Sequence, residues 1–363
     1  METPLRKQHE DAGATLGVYF DCLLPERFTD VAAECNMARE SVALLDTNYH
    51  AFVYFEGPDR ARYLNAMLTN NVKDLRVGQG CASLLLNPQG HILAEIETYA
   101  EEDKLLTLSH ASVRERTVAT LEKFIIMDDV TLDDATERLG SIALEGPRAS
   151  GLLRELCSLD LSALPPFAQA EASIAAIPCR VIRRSLFGEA GVEIIVERGF
   201  MGTLWEKLFE AVRTRAGGPI GYAAYNVLRL EAGVPWFGYD FNDKVIPHEA
   251  ALESSHISFS KGCYTGQEII ERVRSRGHVN RRRAELQFAG AALPEAGAKL
   301  FADGKDAGHV TSAAHSPALS RIIGMGYVRR EYHSPGSRLE WAGGEAEVVA
   351  LPFKPLTQTQ ARS

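Results

Sequence analysis

Two residue constellations in this 363-residue chain could do chemistry, and they are of different kinds. The stretch Ser260 to Val273, "SKGCYTGQEIIERV", sets Cys263 between Lys261 and the T-x-x-E spacing of Thr265 and Glu268. That spacing is a capping box, so it predicts a helix starting just after Thr265 with Cys263 near its positive end. The helix dipole and the Lys261 ammonium would both favour a thiolate, the nucleophilic form of cysteine. A free cysteine is equally at home as a small buried hydrophobe, and spacing alone leaves both readings open.

Glu193 belongs to the second kind. In "AGVEIIVE" it stands among Val192, Ile194, Ile195 and Val196, so its carboxylate either emerges at a sheet edge or is held inside by donors. Held inside, it can accept two parallel N–H bonds from a flat amino-substituted heterocycle such as a pterin. A third segment, "LRLEAGVPWFGYDFNDKVIPHEAALE", combines Arg229, Glu231, Asp240 and Glu249 with a glycine- and aromatic-rich loop. Such a loop can line a cleft, and ordinary salt bridges explain its charges equally well.

Charge is unevenly placed. Between Lys261 and Arg283 the chain carries Lys261, Arg272, Arg274, Arg276, Arg281, Arg282 and Arg283 against Glu268 and Glu271, a window of +5 in a chain whose net charge is -9. Clustered arginines suit an anionic partner, RNA among them, or a solvated and ion-paired surface. No aromatic residue interrupts Arg272 to Arg283, which argues against stacking on single-stranded bases there. Asp128 and Asp129 read as an acidic turn before a strand. No histidine pair has metal-ligand spacing, and there is no Ser-His-Asp motif or phosphate loop.

The elements that must position these residues are α+β. "CASLLLN" and "HILAEIETY" are expected to form a hairpin through Asn87-Pro88-Gln89-Gly90. Helices are expected over "GPDRARYLNAMLTNNV", with Pro58 at the first position and Ala61, Leu64, Met67 and Leu68 on one face, and over "SVRERTVATLEKFII". The second starts at a Ser112/Glu115 capping box and has an apolar stripe of Val118, Leu121 and Ile125. The Pro- and Ala-rich stretch "SALPPFAQAEASIAAIP" reads as a separator before the strand "GVEIIVE" and the helix "FMGTLWEKLFEAV". From "AELQFAG" to "EAEVVAL" six short strands between Gly-rich turns predict a small β-barrel, and the tail from Lys354 reads as loose.

A chain of this length and 45% hydrophobic content can bury more than one core, so two or three domains are expected. The expected boundaries are an α+β region of two interleaved subdomains over 1–280 and a barrel over 281–363. No apolar run approaches the roughly 18–20 residues a membrane span needs, and the first residues lack a signal-peptide core, so a cytoplasmic protein with no membrane partner is expected. The six cysteines are scattered, without a C-x-x-C pair, as expected for reduced thiols.

"KGCYTGQE", Lys261 to Glu268, resembles the signature of the YgfZ-type folate-binding proteins, relatives of the glycine cleavage system T-protein, an aminomethyltransferase. The resemblance extends through "TPLRKQHEDAGA", "LLLNPQGHIL", "FGEAGVEIIV", "LRLEAGVPWFGYD", "IPHEAALE" and "GHVTSAAHSPAL", in the usual order. It implies a T-protein-like three-domain cloverleaf around a central folate channel, ending in a β-barrel, with tetrahydrofolate as cofactor. For the YgfZ type it further implies support of iron-sulfur protein assembly or repair, with effects on tRNA modification and with iron-sulfur clients or assembly proteins as partners. For the T-protein it implies transfer of a methylene from a lipoyl-bound aminomethyl group to tetrahydrofolate.

Two departures bear on that choice. Where the T-protein has G-G-x-x-D-D, this chain has Gly90-His91-Ile92-Leu93-Ala94-Glu95, so the acid is absent or displaced onto Glu95. Where the T-protein carries a folate-binding arginine, this chain has Tyr225, four residues before Arg229. Glu193 matches the glutamate that receives the pterin. The resemblance therefore implies folate binding by Glu193, Tyr225 and Arg229, and chemistry by Cys263, Lys261 and Glu95. An accessory factor in iron-sulfur maintenance is expected first, and a folate-dependent aminomethyltransferase second.

Overall fold

A computed structural model describes residues 2–160, 163–187 and 190–353, apart from the side chain of Arg276; the tail read above as loose lies outside the described residues. The chain forms two compact units. The first is built from Met1–Pro88, Leu93–Tyr225 and Ser255–Thr265, the second from Gln89–Ile92, Asn226–Ser254 and the chain from Gly266 onward. Among the described residues no helix is long and apolar enough to cross a membrane.

In chain order the first unit begins with α1 (Arg6–Asp11), β1 (Thr15–Tyr19), β2 (Cys22–Arg27), α2 (Val31–Glu40), β3 (Ala43–Asp46), β4 (His50–Glu56) and α3 (Arg60–Met67). It continues through β5 (Gly80–Leu86), β6 (Ile92–Ala100), β7 (Leu105–His110), α4 (Arg114–Lys123), β8 (Thr131–Asp134), β9 (Leu139–Glu145) and α5 (Ala149–Cys157). Then come β10 (Gln169–Ile174), β11 (Ile177–Arg183), β12 (Gly191–Glu197), α6 (Met201–Arg213), β13 (Gly218–Pro219) and the start of α7 (Tyr222–Ala232).

These strands make a two-stranded ribbon, β1-β2, and two larger sheets, ordered β5-β6-β7-β4-β8 and β10-β11-β12-β9-β3-β13. Side chains alternate across a strand, and each sheet uses that alternation to bury both faces. On the first sheet Val53, Phe55, Ala94 and Ile96 pack with Tyr63, Leu64 and Met67 of α3 and Leu121 of α4. On the second, Val192, Ile194 and Val196 pack with Leu152 and Leu153 of α5 and Leu204, Trp205 and Leu208 of α6. The remaining faces meet each other through Phe52, Tyr99, Leu106 and Leu108 on one side and Ile182 and Ile195 on the other. This is why "GVEIIVE" reads as a continuous apolar run, and it places Glu193, two residues from Ile195, on the face turned toward the other sheet.

The second unit contains α8 (Pro247–Ala250), the start of α9 (Glu253–His256), α10 (Gln267–Arg276) and six strands: β14 (Arg281–Phe288), β15 (Lys299–Ala302), β16 (Lys305–Ser316), β17 (Arg321–Arg329), β18 (Arg338–Trp341) and β19 (Gly344–Val349). They close into a barrel ordered β14-β17-β16-β15-β18-β19, as the strand pattern predicts. Leu286, Leu300, Val310, Ile322, Val328, Leu339 and Val348 fill its interior. Gly308, at φ +150°, lets the β16 backbone approach the Tyr327 carbonyl so closely that an added Cβ would overlap it.

Four local expectations need correction. Pro58 lies in the turn before α3, whose N-cap is Asp59. The Ser112 capping box does not form, because a 3-10 turn over Ala111–Val113 precedes α4 and leaves Val113 at its N-cap. The Thr265 capping box does not form either: Gly266, at φ +82°, takes the N-cap of α10, which has no side-chain cap bond. The Pro- and Ala-rich separator contributes β10, paired antiparallel with β11 through a two-residue turn whose Ala175 and Ala176 have φ of 51° and 63°. Both signs suit a tight hairpin, yet neither residue is one that normally advertises it.

Candidate functional site

Where the apolar contact between the two sheets of the first unit ends, polar side chains continue the same faces. Along β6, Ala94 and Ile96 turn to the helical core, which leaves Glu95, Glu97 and Tyr99 on the opposite side by the two-residue period. His50 of β4 stands directly opposite His110 of β7. Glu193 of β12 meets His50 from the second sheet, with Nδ1 donating to Oε1 at 2.7 Å.

Glu193 is only 1% exposed, and an unpaired carboxylate there would be costly. Its second oxygen accepts from Nη1 of Arg184 at 2.9 Å, and the same guanidinium donates through Nε to Oε1 of Glu97 at 2.6 Å. Tyr99 donates its hydroxyl to the other oxygen of Glu97 at 2.5 Å. Burial opposes the charge on Glu193, but His50 and Arg184 outweigh it and bring its pKa down to about 2. The carboxylate is therefore an acceptor at any physiological pH. Ser141 also bonds to it, and with about four lone-pair positions the carboxylate is not exhausted by these three donors.

Glu95 lies at the other end of the same polar face. His256 donates from Nε2 to its Oε1 at 3.0 Å, and His110 Nε2 stands 3.7 Å from Oε2. Burial resists ionisation of Glu95, yet these two imidazoles hold it well below the usual carboxylate range. Ser255 Oγ is 2.8 Å from Nδ1 of His256. Because Glu95 is ionised, Nε2 must carry a proton, so in the neutral ring Nδ1 accepts from Ser255 and the tautomer is fixed.

Aromatic rings wall this region. Tyr49 lies 4.2 Å from His50 and 4.5 Å from Phe20, centroid to centroid, and Tyr225 packs 5.6 Å from Tyr222 and 5.8 Å from Phe187. Tyr225 is thus a buried wall residue. Deeper on β9, Glu145 accepts from Leu186 N at 2.7 Å and Ser185 Oγ at 2.8 Å, and burial raises its pKa to about 8. Gly191 is required beside it, since a Cβ there would come within 2.4 Å of the Glu145 carboxylate oxygens.

The residues of the cysteine signature are arranged differently from expectation. The Lys261 ammonium donates to the carbonyls of Asn65 and Leu68, so it caps the C-terminal end of α3. Burial lowers its pKa to about 8, and the thiol that its charge meets is Cys81. Cys263 is exposed, while the other five cysteines are buried or half-buried; all six are free thiols.

Arg229 belongs to the second unit, where Asn226, Val234 and Asp240 take up its donors and Trp236 lies 4.5 Å from its guanidinium carbon. Asp240 is further held by Trp236 N at 2.9 Å and Thr311 Oγ1 at 2.6 Å. Of the basic run, Arg281 pairs with Glu249 at 3.0 Å, Arg282 with Glu253 at 2.6 Å, and the buried Arg283 with Glu285 at 2.7 Å. Within the first unit, then, Glu193, Glu95 and Tyr225 share one polar and aromatic region, while Lys261 serves α3.

Sequence reasoning missed Arg184, Glu97, His50, His110 and His256. One signal was available: Glu95, Glu97 and Tyr99 repeat at the strand period within an otherwise apolar run. The partners could not be read, because His50 and Glu193 are 143 residues apart.

Residues 5–261 match the family described as the GCVT N-terminal domain, and residues 281–354 match the glycine cleavage T-protein C-terminal barrel domain. An aminomethyltransferase of Rubrobacter xylanophilus is 30% identical over 352 residues, covering 97% of this chain and 93% of that protein. The aminomethyltransferase of Chlorobium luteolum is 31% identical over 344 residues, 93% of each chain. The crystal structure of the glycine cleavage system aminomethyltransferase T from Bartonella henselae superposes with a TM-score of 0.87 at 26% identity, covering 98% of both chains. The chain belongs to the glycine cleavage T-protein family, with its fold and its C-terminal barrel.

Proposed function

We propose that this protein is a tetrahydrofolate-dependent one-carbon transferase of the T-protein type, with Glu193 holding the pterin and Glu95 serving as the acid-base carboxylate. The observation that carries this reading is the continuity of the polar face, from Glu193 through His50 and His110 to Glu95. From the sequence alone the iron-sulfur accessory role comes first; the aminomethyltransferase relatives and the geometry at Glu95 reverse that order.

The residues suit a folate. An ionised, acceptor-only carboxylate among aromatic rings matches a flat heterocycle whose edge carries paired N–H donors. Bound tetrahydrofolate would supply the nucleophilic ring nitrogen that takes the methylene. Glu193 would fix the ring by its N–H edge, and Tyr49, Tyr222 and Tyr225 would keep water from it. Glu95 reaches one methylene further than aspartate, but His256 pins Oε1, so the longer side chain is held in one place. Oε2 of Glu95 would hold or accept the proton exchanged at the reacting nitrogen, and His256 with Ser255 would keep that carboxylate ionised and oriented.

The test is turnover. Protein incubated with tetrahydrofolate and methylamine donors, including an aminomethylated lipoyl protein, is expected to yield 5,10-methylene-tetrahydrofolate. No product with any donor would remove the transferase reading. A second reading, a folate-binding accessory factor for iron-sulfur proteins of the YgfZ type, is favoured by the exposed Cys263 within "KGCYTGQE". Full restoration of iron-sulfur enzyme activity in a deletion strain by Cys263→Ser would count against it.

A further inference from the structure

We propose that Arg184 is an internal stand-in for the ligand at Glu193, and that by having to be displaced it selects ligands carrying a guanidine-like pair of N–H donors. This rests on Glu193 being the pterin's carboxylate and adds how that carboxylate is guarded. A guanidinium is a planar fork of N–H groups matched to carboxylate geometry. The 2-amino-4-oxo edge of a pterin, with its ring N–H beside an amino group, presents the same fork. Arg184 Nη1 donates to Oε2 of Glu193 at 2.9 Å, and such an edge would compete with it for that oxygen.

The surroundings suit an exchange. Arg184 follows the last residue of β11, and its neighbours Ser185 and Leu186 are anchored on Glu145, so the backbone is fixed while the long side chain retains its rotamers. Its Nε bond to Glu97, at 2.6 Å, does not involve Glu193. Tyr99 steadies Glu97 from the other side. The guanidinium can therefore leave Glu193 and stay paired with Glu97, so that what a ligand displaces on entering is the guanidinium's bond to Glu193 and its contact with the Tyr49 hydroxyl. His50 keeps its bond to Oε1 throughout and holds the carboxylate in place. A flat ligand presenting acceptors to Glu193 meets a carboxylate oxygen that has lost its cationic donor once Arg184 has left, and is rejected.

Calorimetric titration with 5-formyl-tetrahydrofolate and with tail-less tetrahydropterin tests this, using the full chain, Arg184→Ala, and the double variant Arg184→Ala/Glu97→Gln. The double variant removes cation and counter-charge together, so Glu193 is not left facing an unpaired glutamate. Side-chain NMR of 15N-arginine-labelled wild type supplies a readout that needs no substitution. The expected result is at least about tenfold tighter binding by the double variant, and a changed Arg184 guanidinium signal in the wild type at saturating ligand. Binding by the wild type that is equal to or tighter than the double variant's, with the Arg184 signal unmoved, would overturn the stand-in while leaving Glu193 as the pterin site. Absence of binding in every chain would overturn both.

Discussion

The two units each bury an arginine against a carboxylate, and they do so to different ends. In the second unit Arg229 and Asp240 are matched one to one, and both aspartate oxygens are closed off by Arg229, Trp236 N and Thr311. Burial opposes the charge on Asp240, but Arg229 and these donors hold its pKa below the ordinary value. In the first unit Arg184 answers two carboxylates, Glu97 and Glu193, with Glu95 nearby and histidines at either end. The first arrangement is a staple. The second carries more negative charge than its one arginine balances, and that surplus is what a ligand's N–H donors or a proton can use.

Separating rate from stability is the sharpest way to break this contrast. Glu95→Gln keeps the shape but removes the ionised oxygen, so kcat is expected to fall by about 10²–10⁴ with the thermal midpoint little changed. A loss of midpoint as large as the loss of rate would make Glu95 a second staple. Arg229→Ala is the converse: it leaves Asp240 buried and unpaired, at a cost of about 3–5 kcal/mol. Differential scanning calorimetry should register it; an unchanged midpoint would deny Arg229 its structural role.

Two buried carboxylates, Glu145 of the first unit and Asp240 of the second, should also respond to pH with opposite signs. Glu145 is raised from an ordinary 4.5 to about 8 in the folded chain, so its contribution is fully present below about 4.5 and is lost as pH rises through about 8. Asp240 is lowered, so its contribution is present above its ordinary value of 3.8 and is lost on acidification. The unfolding free energy of the wild type relative to Glu145→Gln, from urea titrations, should therefore decline between pH 5 and pH 8 by an amount on the order of a few kcal/mol. An identical decline in both proteins would place the effect elsewhere. The smallest effect belongs to Cys263→Ser, expected to shift stability by less than about 0.5 kcal/mol and to leave folate affinity unchanged, since the thiol is exposed. A large loss in either would give Cys263 a place in the folate site.

What could be read from the sequence divides along the range of the interaction. The barrel was legible because each strand is announced locally by alternation and a Gly-rich turn, and the strand around Glu193 was legible as a continuous apolar run. The fate of that glutamate was not, because its partners come from β4 and from the loop after β11, and no local pattern couples them. β10 was hidden by the Ala175-Ala176 turn, whose residues carry none of the usual hairpin chemistry. The capping box at Thr265 misled because Gly266 adopts a left-handed conformation and takes the N-cap itself. Lys261 illustrates the same limit: its proximity to Cys263 in sequence says nothing of the α3 carbonyls that claim its ammonium.

The most direct measurement is a calorimetric titration of wild type, Glu193→Gln and Glu95→Gln with tetrahydrofolate. Glu193→Gln exchanges the acceptor-only carboxylate for an amide and should weaken binding by about 100-fold, whereas Glu95→Gln should bind nearly as the wild type does. Undiminished binding by Glu193→Gln would contradict the placement of the pterin at Glu193, and with it the division of labour between the two carboxylates.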